Sequence, residues 1–269
     1  MKKLLALTAA LLLTAAGLRA QCGIDNTAFQ SGETLRYDLY FNWQFVWMKV
    51  GTASMNITAG QYQGKSGYRA YLITRGSKSA DRYFVMRDTL VAQVDQDLNP
   101  LYYSKRALEG DSYRVDETYY TYAGGKSKVK QRHQNKHGQS TWSEAESSIC
   151  IYDMLSMLLR ARSFDATRYQ KGSRIAFMMA DGKSCERREI IFKGKDTFKV
   201  QNTNTEYRCL VFSYVEKEDG KEKTIVTFYI TDDANHIPVR LDMNLKFGTA
   251  KAYLSGMTGI RNAITSRVK

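Results

Sequence analysis

The stretch LRYDLYFNWQFVW, residues 35–47, governs how the rest of the chain is read. Every odd position is apolar: Leu35, Tyr37, Leu39, Phe41, Trp43, Phe45 and Trp47. Alternation with a period of two puts these side chains on one face of a β-strand, whereas a helix would scatter them around its axis. Thirteen such residues would extend about 44 Å at ~3.4 Å each, against a usual strand of five or six. The segment therefore either bends along a curved sheet or turns over near Asn42. In both cases the spacing puts Trp43, Phe45 and Trp47 on one side, bordering the widest apolar recess. Core filling is the default use of such a stripe. The alternative is the lining or lid of an apolar groove, which suits tryptophan, a residue seldom fully buried. Phe41, Trp43, Phe45 and Trp47 are the candidate ligand-binding residues.

The same periodicity runs through most of the chain. GTASMNIT, GYRAYLITR, YRVDETYYTY, YRCLVFSYVE and KTIVTFYIT are short, rich in Tyr, Phe, Val, Ile and Thr, and separated by Gly, Asn, Asp and Lys. Hairpins are expected at Ala123-Gly124-Gly125 and at Glu218-Asp219-Gly220. Crossover helices are missing, so the sheet is read as antiparallel. One segment departs from the pattern. In SSICIYDMLSMLLRARSFD, residues Ile151, Met154, Leu155, Leu158 and Leu159 follow helical spacing and predict a helix over about 149–162. Ser147 or Ser148 would cap it, and Arg160 and Arg162 would suit its negative end. The least strand-like stretches are 138–147 and 163–173.

The expected fold is mainly β, an antiparallel curved sheet or open barrel with that helix packed on the sheet. Residues 21–269 are read as one domain: a first β half over about 28–137, a helix-containing connection over about 138–173, and a second β half over about 174–258. The chain's two prolines echo between the halves. Each follows an acidic turn and an asparagine: Asp95, Asp97, Asn99, Pro100, and Asp232, Asp233, Asn235, Pro238. Duplication explains this, and so do two hairpins solving one turn problem independently.

The first twenty residues read as an export signal, with Lys2 and Lys3, a compact apolar run, and cleavage between Ala20 and Gln21. That places the mature chain in the periplasm or at the cell surface. Its removal takes away Lys2, Lys3 and Arg19 and no acid, which lowers the net charge of +13 by three. Later segments are too short and interrupted to form a membrane-spanning helix. An exported basic protein suits anionic lipid or acidic glycan better than nucleic acid. Cys22, Cys150, Cys185 and Cys209 allow three disulfide connectivities, while Cys150 and Cys209 also read as buried small hydrophobes.

No catalytic constellation is recognisable, and the chain is read as non-enzymatic with no cofactor and no metal. Ser127 and Lys130 fit an S-x-x-K spelling but lie in a strand-like lysine row, without the companion motifs of that enzyme class. His133 and His137 would stand about 13 Å apart on a strand, too far to share one ion. The paired acids at 95/97 and 232/233 read as turn formers. The row itself is the better candidate. Lys126, Lys128, Lys130 and Arg132 alternate on one strand face and form a candidate anion-binding site. The plain alternative is an exposed edge strand protected by its charges.

Three phrases carry a family likeness: Phe29-Gln-Ser-Gly32-Glu33-Thr-Leu35-Arg-Tyr37, the following Gly51-Thr-Ala, and Tyr229-Ile-Thr-Asp232-Asp-Ala-Asn-His-Ile-Pro238-Val-Arg. Over about Phe29 to Leu254 the chain resembles the exported bacterial domain-of-unknown-function family 3108, common in Bacteroidetes-type envelopes. Asn42 to Trp47 is longer than that family's usual first connection. The resemblance implies a β-rich periplasmic or surface protein and supplies no catalytic residues. Together these readings give an envelope binding module for a lipid or other amphipathic ligand. The alternative is a structural or assembly component that binds other envelope proteins or acidic glycans.

Overall fold

A computed structural model describes residues 22–268 apart from 44–45, 202, 219 and 246–247, and leaves the Trp43 side chain aside. The expected export signal and Phe45 lie outside the described residues. The first half of the chain forms β1 (Thr34–Trp43), β2 (Val46–Tyr62), β3 (Lys65–Gly76), β4 (Met86–Asp95), β5 (Pro100–Glu109), β6 (Ser112–Ala123), β7 (Lys126–Gln134) and β8 (Ser140–Ser147). Then come β9 (Ile151–Tyr152) and α1 (Met154–Ala161). The second half supplies β10 (Arg174–Ala180), β11 (Cys185–Lys199), β12 (Glu206–Glu218), β13 (Lys221–Thr231), β14 (Pro238–Leu245) and β15 (Gly248–Thr258).

All fifteen strands join one sheet in the order β8-β7-β6-β5-β4-β3-β2-β1-β15-β14-β13-β12-β11-β10-β9. Chain neighbours pair throughout except β8 and β9, and β1 lies beside β15, so the two β halves share one continuous sheet. The sheet curls into a nearly closed barrel. Its free edges, β8 and β9, are joined near the seam by side-chain bonds rather than a ladder. Gln131 Oε1 accepts from Gly182 N at 2.9 Å, and Ser143 Oγ donates to Lys183 O at 3.0 Å. Gly182 has φ +96, and a Cβ there would lie 2.5 Å from the Asp116 side chain, so only glycine permits this approach.

Pairing is antiparallel except for β9, whose two residues lie parallel to β10. The helix-containing connection is the crossover that a parallel pair needs. Both expected hairpins form, between β6 and β7 and between β12 and β13. The expected non-strand stretch 138–147 instead contains β8, the polar edge of the sheet. The lysine-rich β7 is therefore one place in from that edge.

The ladder also divides. β1 ends at Trp43 and β2 begins at Val46, which is the turn-over alternative rather than the bend. Asn42 pairs with Trp47 and Phe41 with Met48. Paired residues share a face and adjacent residues alternate, so Phe41 and Trp47 take opposite faces. The expectation of one continuous aromatic side fails because the chain reverses inside the stripe and changes its phase.

Antiparallel order sends successive connections to alternate ends of the barrel. The β2–β3, β4–β5, β6–β7, β11–β12 and β13–β14 connections lie at one end. Both described terminal segments and α1 close that end: Ile24 N donates to Asp97 O at 2.8 Å, and Arg208 N to Ser266 O at 2.9 Å. Leu155 and Leu159 are fully buried among Phe29, Leu35, Ile57 and Ala92, while Met157 packs with Phe177, Phe192 and Phe212. The helix is shorter than the 149–162 expected. Asp153 caps it, its Oδ1 accepting from Ser156 N at 2.8 Å, whereas Ser147 Oγ accepts from Ile149 N. Residues 149–152 are strand and turn because Ile151 and Tyr152 pair with β10.

Two of the three phrases that carry the family likeness, around Glu33 and around Asn235, meet at this closed end. The Arg162 guanidinium, just past α1, forms a two-point pair with Glu33, with Nη2 to Oε2 at 2.9 Å, and also donates to Asn235 O. Asn235 in turn bonds the 262–263 backbone, and Asp233 Oδ2 accepts from Ser266 Oγ at 2.7 Å. Glu33 and Arg162 are both about 1% exposed, so this polar knot is buried and fully paired. Cys22 and Cys150 form a disulfide across 128 residues that ties the N-terminal segment to β9. Cys150 is thus a bridge partner rather than a packed hydrophobe. Cys209 is buried and free, as expected from its apolar strand.

Candidate ligand site at the open end of the barrel

The opposite end carries the β1–β2, β3–β4, β5–β6, β7–β8, β10–β11, β12–β13 and β14–β15 connections, and among the described residues no α-helix covers it. Above α1 the concave face continues toward this end. Register links Leu39 to Ala252 and Leu241, and Phe41 to Ala250, Met243 and Val226. Ala252 is buried, and the others are partly exposed. At the rim the wall ends in Met48, 48% exposed, and Leu245, 51% exposed. These stripes were legible as alternation within each strand. That stripes from β1, β13, β14 and β15 form one wall was not.

The facing wall, from β4 to β7, is charged. Asp88, opposite Ala107, shares the concave face with Lys105, Arg114, Asp116 and His133. Lys105 pairs with Glu109 at 3.3 Å, Arg114 also pairs with Glu109, and His133 Nδ1 meets Asp116 Oδ1 at 2.5 Å. Asp88 Oδ1 is buried without a hydrogen-bond partner. Burial pushes the Asp88 carboxyl up to about 6, with Lys105 pulling the other way. The open end is thus apolar on one side and ionic on the other. Ser127 contacts Cys22 toward the closed end and His133 meets Asp116 toward the open one, so the two are not brought together. Among the described residues no group of three or more His, Cys, Asp or Glu side chains is arranged to hold a metal ion.

Of the four ladder aromatics, the two whose side chains are described take opposite faces. Phe41 stands on the apolar wall, and Trp47 lies on the outer face beneath the Lys251 ammonium, 4.3 Å from the ring centre. Trp43 ends β1, and Phe45 falls outside the described residues. Two surface hollows, of 580 and 710 Å³, are lined elsewhere, one around Phe198 and Tyr253 and the other around Asn26 and Tyr68. Phe41 and Trp47 border neither.

The basic row does share the outer face of β7, but carboxylates answer it. Lys126 and Lys128 both reach Glu146, Lys130 reaches Glu144 at 3.6 Å, and Arg132 reaches Glu117 at 2.8 Å. Beside it runs an aromatic line, Tyr62–Tyr102–Tyr119–Trp142, whose rings pack on one another. The remaining face of Trp142 carries Lys130 at 5.2 Å. His137 lies in the β7–β8 turn, away from the His133 site. Asp95 and Asp233 accept from backbone N–H groups of their own turns, the role expected of them.

The family described as "Protein of unknown function (DUF3108)" matches residues 36–255. The chain belongs to that family. No curated protein matches this DUF3108 member. Its fold is similar to a crystal structure of a β-barrel-like protein of the domain of unknown function DUF1849 from Brucella abortus. The TM-score is 0.57 at 12% identity, covering 87% of this chain and all of that one. At that identity the likeness is one of fold. Among the described residues no helix is long and apolar enough to cross a membrane, a statement that does not extend to strands.

Proposed function

We propose that this chain is an exported, non-enzymatic envelope protein that holds a lipid or another amphipathic ligand at the open end of its barrel. The observation that carries this reading is the pairing of walls. A partly exposed apolar face around Phe41, Leu241 and Met243 lies on the concave side of the same barrel as Asp88, Lys105 and Arg114. An apolar tail gains by leaving water against the first wall, and a polar head finds ionic partners on the second. Export is supported by the basic head, apolar run and Ala20 of the leader. The Cys22–Cys150 bridge suits an oxidising compartment.

Native mass spectrometry of the protein purified from its own envelope should reveal a co-purifying amphipathic molecule. Replacing Phe41 and Met243 together by Ser should weaken binding of an apolar fluorescent probe about tenfold or more, at ~1.4 kcal/mol per decade, with circular dichroism unchanged. Wild-type protein that carries no ligand and binds no probe would reject this reading. A structural or assembly role among envelope proteins or acidic glycans would then stand in its place. A glycan docking on Lys126, Lys128, Lys130 and Arg132 would have to displace Glu117, Glu144 and Glu146 from those cations.

A further inference from the structure

The open end also differs from the rest of the surface in what its tips expose. Val46, Trp47 and Met48 stand at the start of β2, and Tyr83 and Phe84 in the β3–β4 connection, with Tyr83 90% exposed and Phe84 54%. These two tips are neighbours. β2 lies between β1 and β3, and Ser77 N donates to Val50 O at 2.8 Å. Gly110 N, on the next tip, donates to Val85 O at 2.8 Å and anchors the connection from its other side. The aromatic side chains are therefore displayed from bonded loops at the rim of the apolar wall.

Cations accompany them. Lys78 and Arg82 are exposed in the same connection and form no ion pair among the described residues. The acid within that connection, Asp81, is held by Arg87, with Nη1 to Oδ1 at 2.9 Å, and its carboxyl stays below the usual carboxylate range on account of that hydrogen bond. Lys251 covers one face of Trp47. Trp and Tyr, with an apolar body and a polar tip, favour the boundary between hydrocarbon and water. Lys and Arg beside them meet lipid phosphates, at an energy that grows with each cation brought near an anionic surface. The sequence's net charge of +13 has the sign for such a partner.

We propose that the start of β2 and the β3–β4 connection dock the open end onto the surface of an anionic phospholipid bilayer. Trp47, Tyr83 and Phe84 enter the headgroup layer, and Lys78 and Arg82 meet the phosphates. The proposal deepens the ligand reading and rests on it in one respect: an amphipathic ligand would then pass between bilayer and barrel without crossing open water.

The test is co-flotation of the folded mature protein with vesicles of phosphatidylcholine, with and without phosphatidylglycerol. Wild type should float with the anionic vesicles, weakly with the neutral ones, and less as salt rises. Trp47→Ser with Phe84→Ser should reduce the bound fraction about tenfold or more, and so should Lys78→Glu with Arg82→Glu. Trp142→Ser, an exposed aromatic on the outer face of β8, should float as wild type does. Circular dichroism verifies that each variant is folded. Wild type that stays at the bottom of the gradient overturns the proposal, and so does a Trp47/Phe84 variant that floats undiminished. The probe assay on Phe41 and Met243 is read in solution without vesicles, so failure of docking and failure of the ligand site are told apart.

Discussion

Asp88 shows how one position on the concave face sets a pH dependence. Its carboxyl is pushed up to about 6, first by burial, and Oδ1 has no hydrogen-bond partner. An unfolded aspartate ionises near 3.9, so the folded chain holds this proton more tightly than the unfolded one. Stability from Asp88 is therefore fully present below about pH 4 and is lost as pH rises toward about 6. Two pKa units correspond to roughly 2–3 kcal/mol. Asp88→Asn should match wild type near pH 4 and exceed it by up to that amount at pH 7–8, read as the difference in urea midpoints across the range. Equal midpoints at every pH would mean that Asp88 is better solvated than its burial implies.

Among the elements, α1 depends on a residue read as an interior position of the longer expected helix. Asp153 is fully buried, caps α1 through Ser156 N, and accepts from Ser156 Oγ at 2.7 Å and Tyr120 OH at 3.0 Å. Burial raises its pKa, against the pull of those donors. Asp153→Ala removes the cap and strands the Tyr120 hydroxyl in the interior, which should cost about 2–4 kcal/mol. Ser148→Ala, at an exposed one of the caps expected from sequence, should cost much less than Asp153→Ala. Chemical denaturation of the two variants side by side decides between the caps. The helix is short because its N-terminal residues gain more as strand β9 than as a further turn. Its neighbours Tyr120 and Val94 come from strands far away in the chain.

At the scale of the whole molecule, the closed end gathers chain from every region. The N-terminal segment, α1, the β13–β14 turn and residues 259–268 are bonded together there, and the Cys22–Cys150 bridge closes a loop of 128 residues around them. Cross-linking so long a loop restricts the unfolded chain strongly, so Cys22→Ser should lower stability by roughly 3–5 kcal/mol. Wild type in reductant should show the same shift in urea midpoint. Cys185→Ser should leave the midpoint nearly unchanged, since that thiol is unbridged; burial pushes it up to about 11, which keeps it protonated. If wild type and Cys22→Ser unfold at one midpoint without reductant, the bridge contributes nothing to the closed end.

The sequence by itself determined whatever depends on residues near one another along the chain. Alternation in stretches such as 35–43 and 224–230 specifies strands, because side chains two apart share a face whatever those strands later pair with. Gly124-Gly125 and the acidic turns before Pro100 and Pro238 specify hairpins for the same local reason. The helix was visible as a 3.6-residue pattern, although its start was not, since the pairing of Ile151 with Met178 competes with helix formation only once β10 is in place. The candidate site was legible in a single member, Phe41. Its wall joins β1 to β13, β14 and β15, more than 180 residues away in sequence, and its charged side joins β4 to β7. The phase of the aromatic ladder, the carboxylates that answer Lys126, Lys128, Lys130 and Arg132, and the pairing of Glu33 with Arg162 were likewise decided by tertiary structure. Each is fixed by which strand lies beside which, and only closing the sheet through β1 and β15 sets that register.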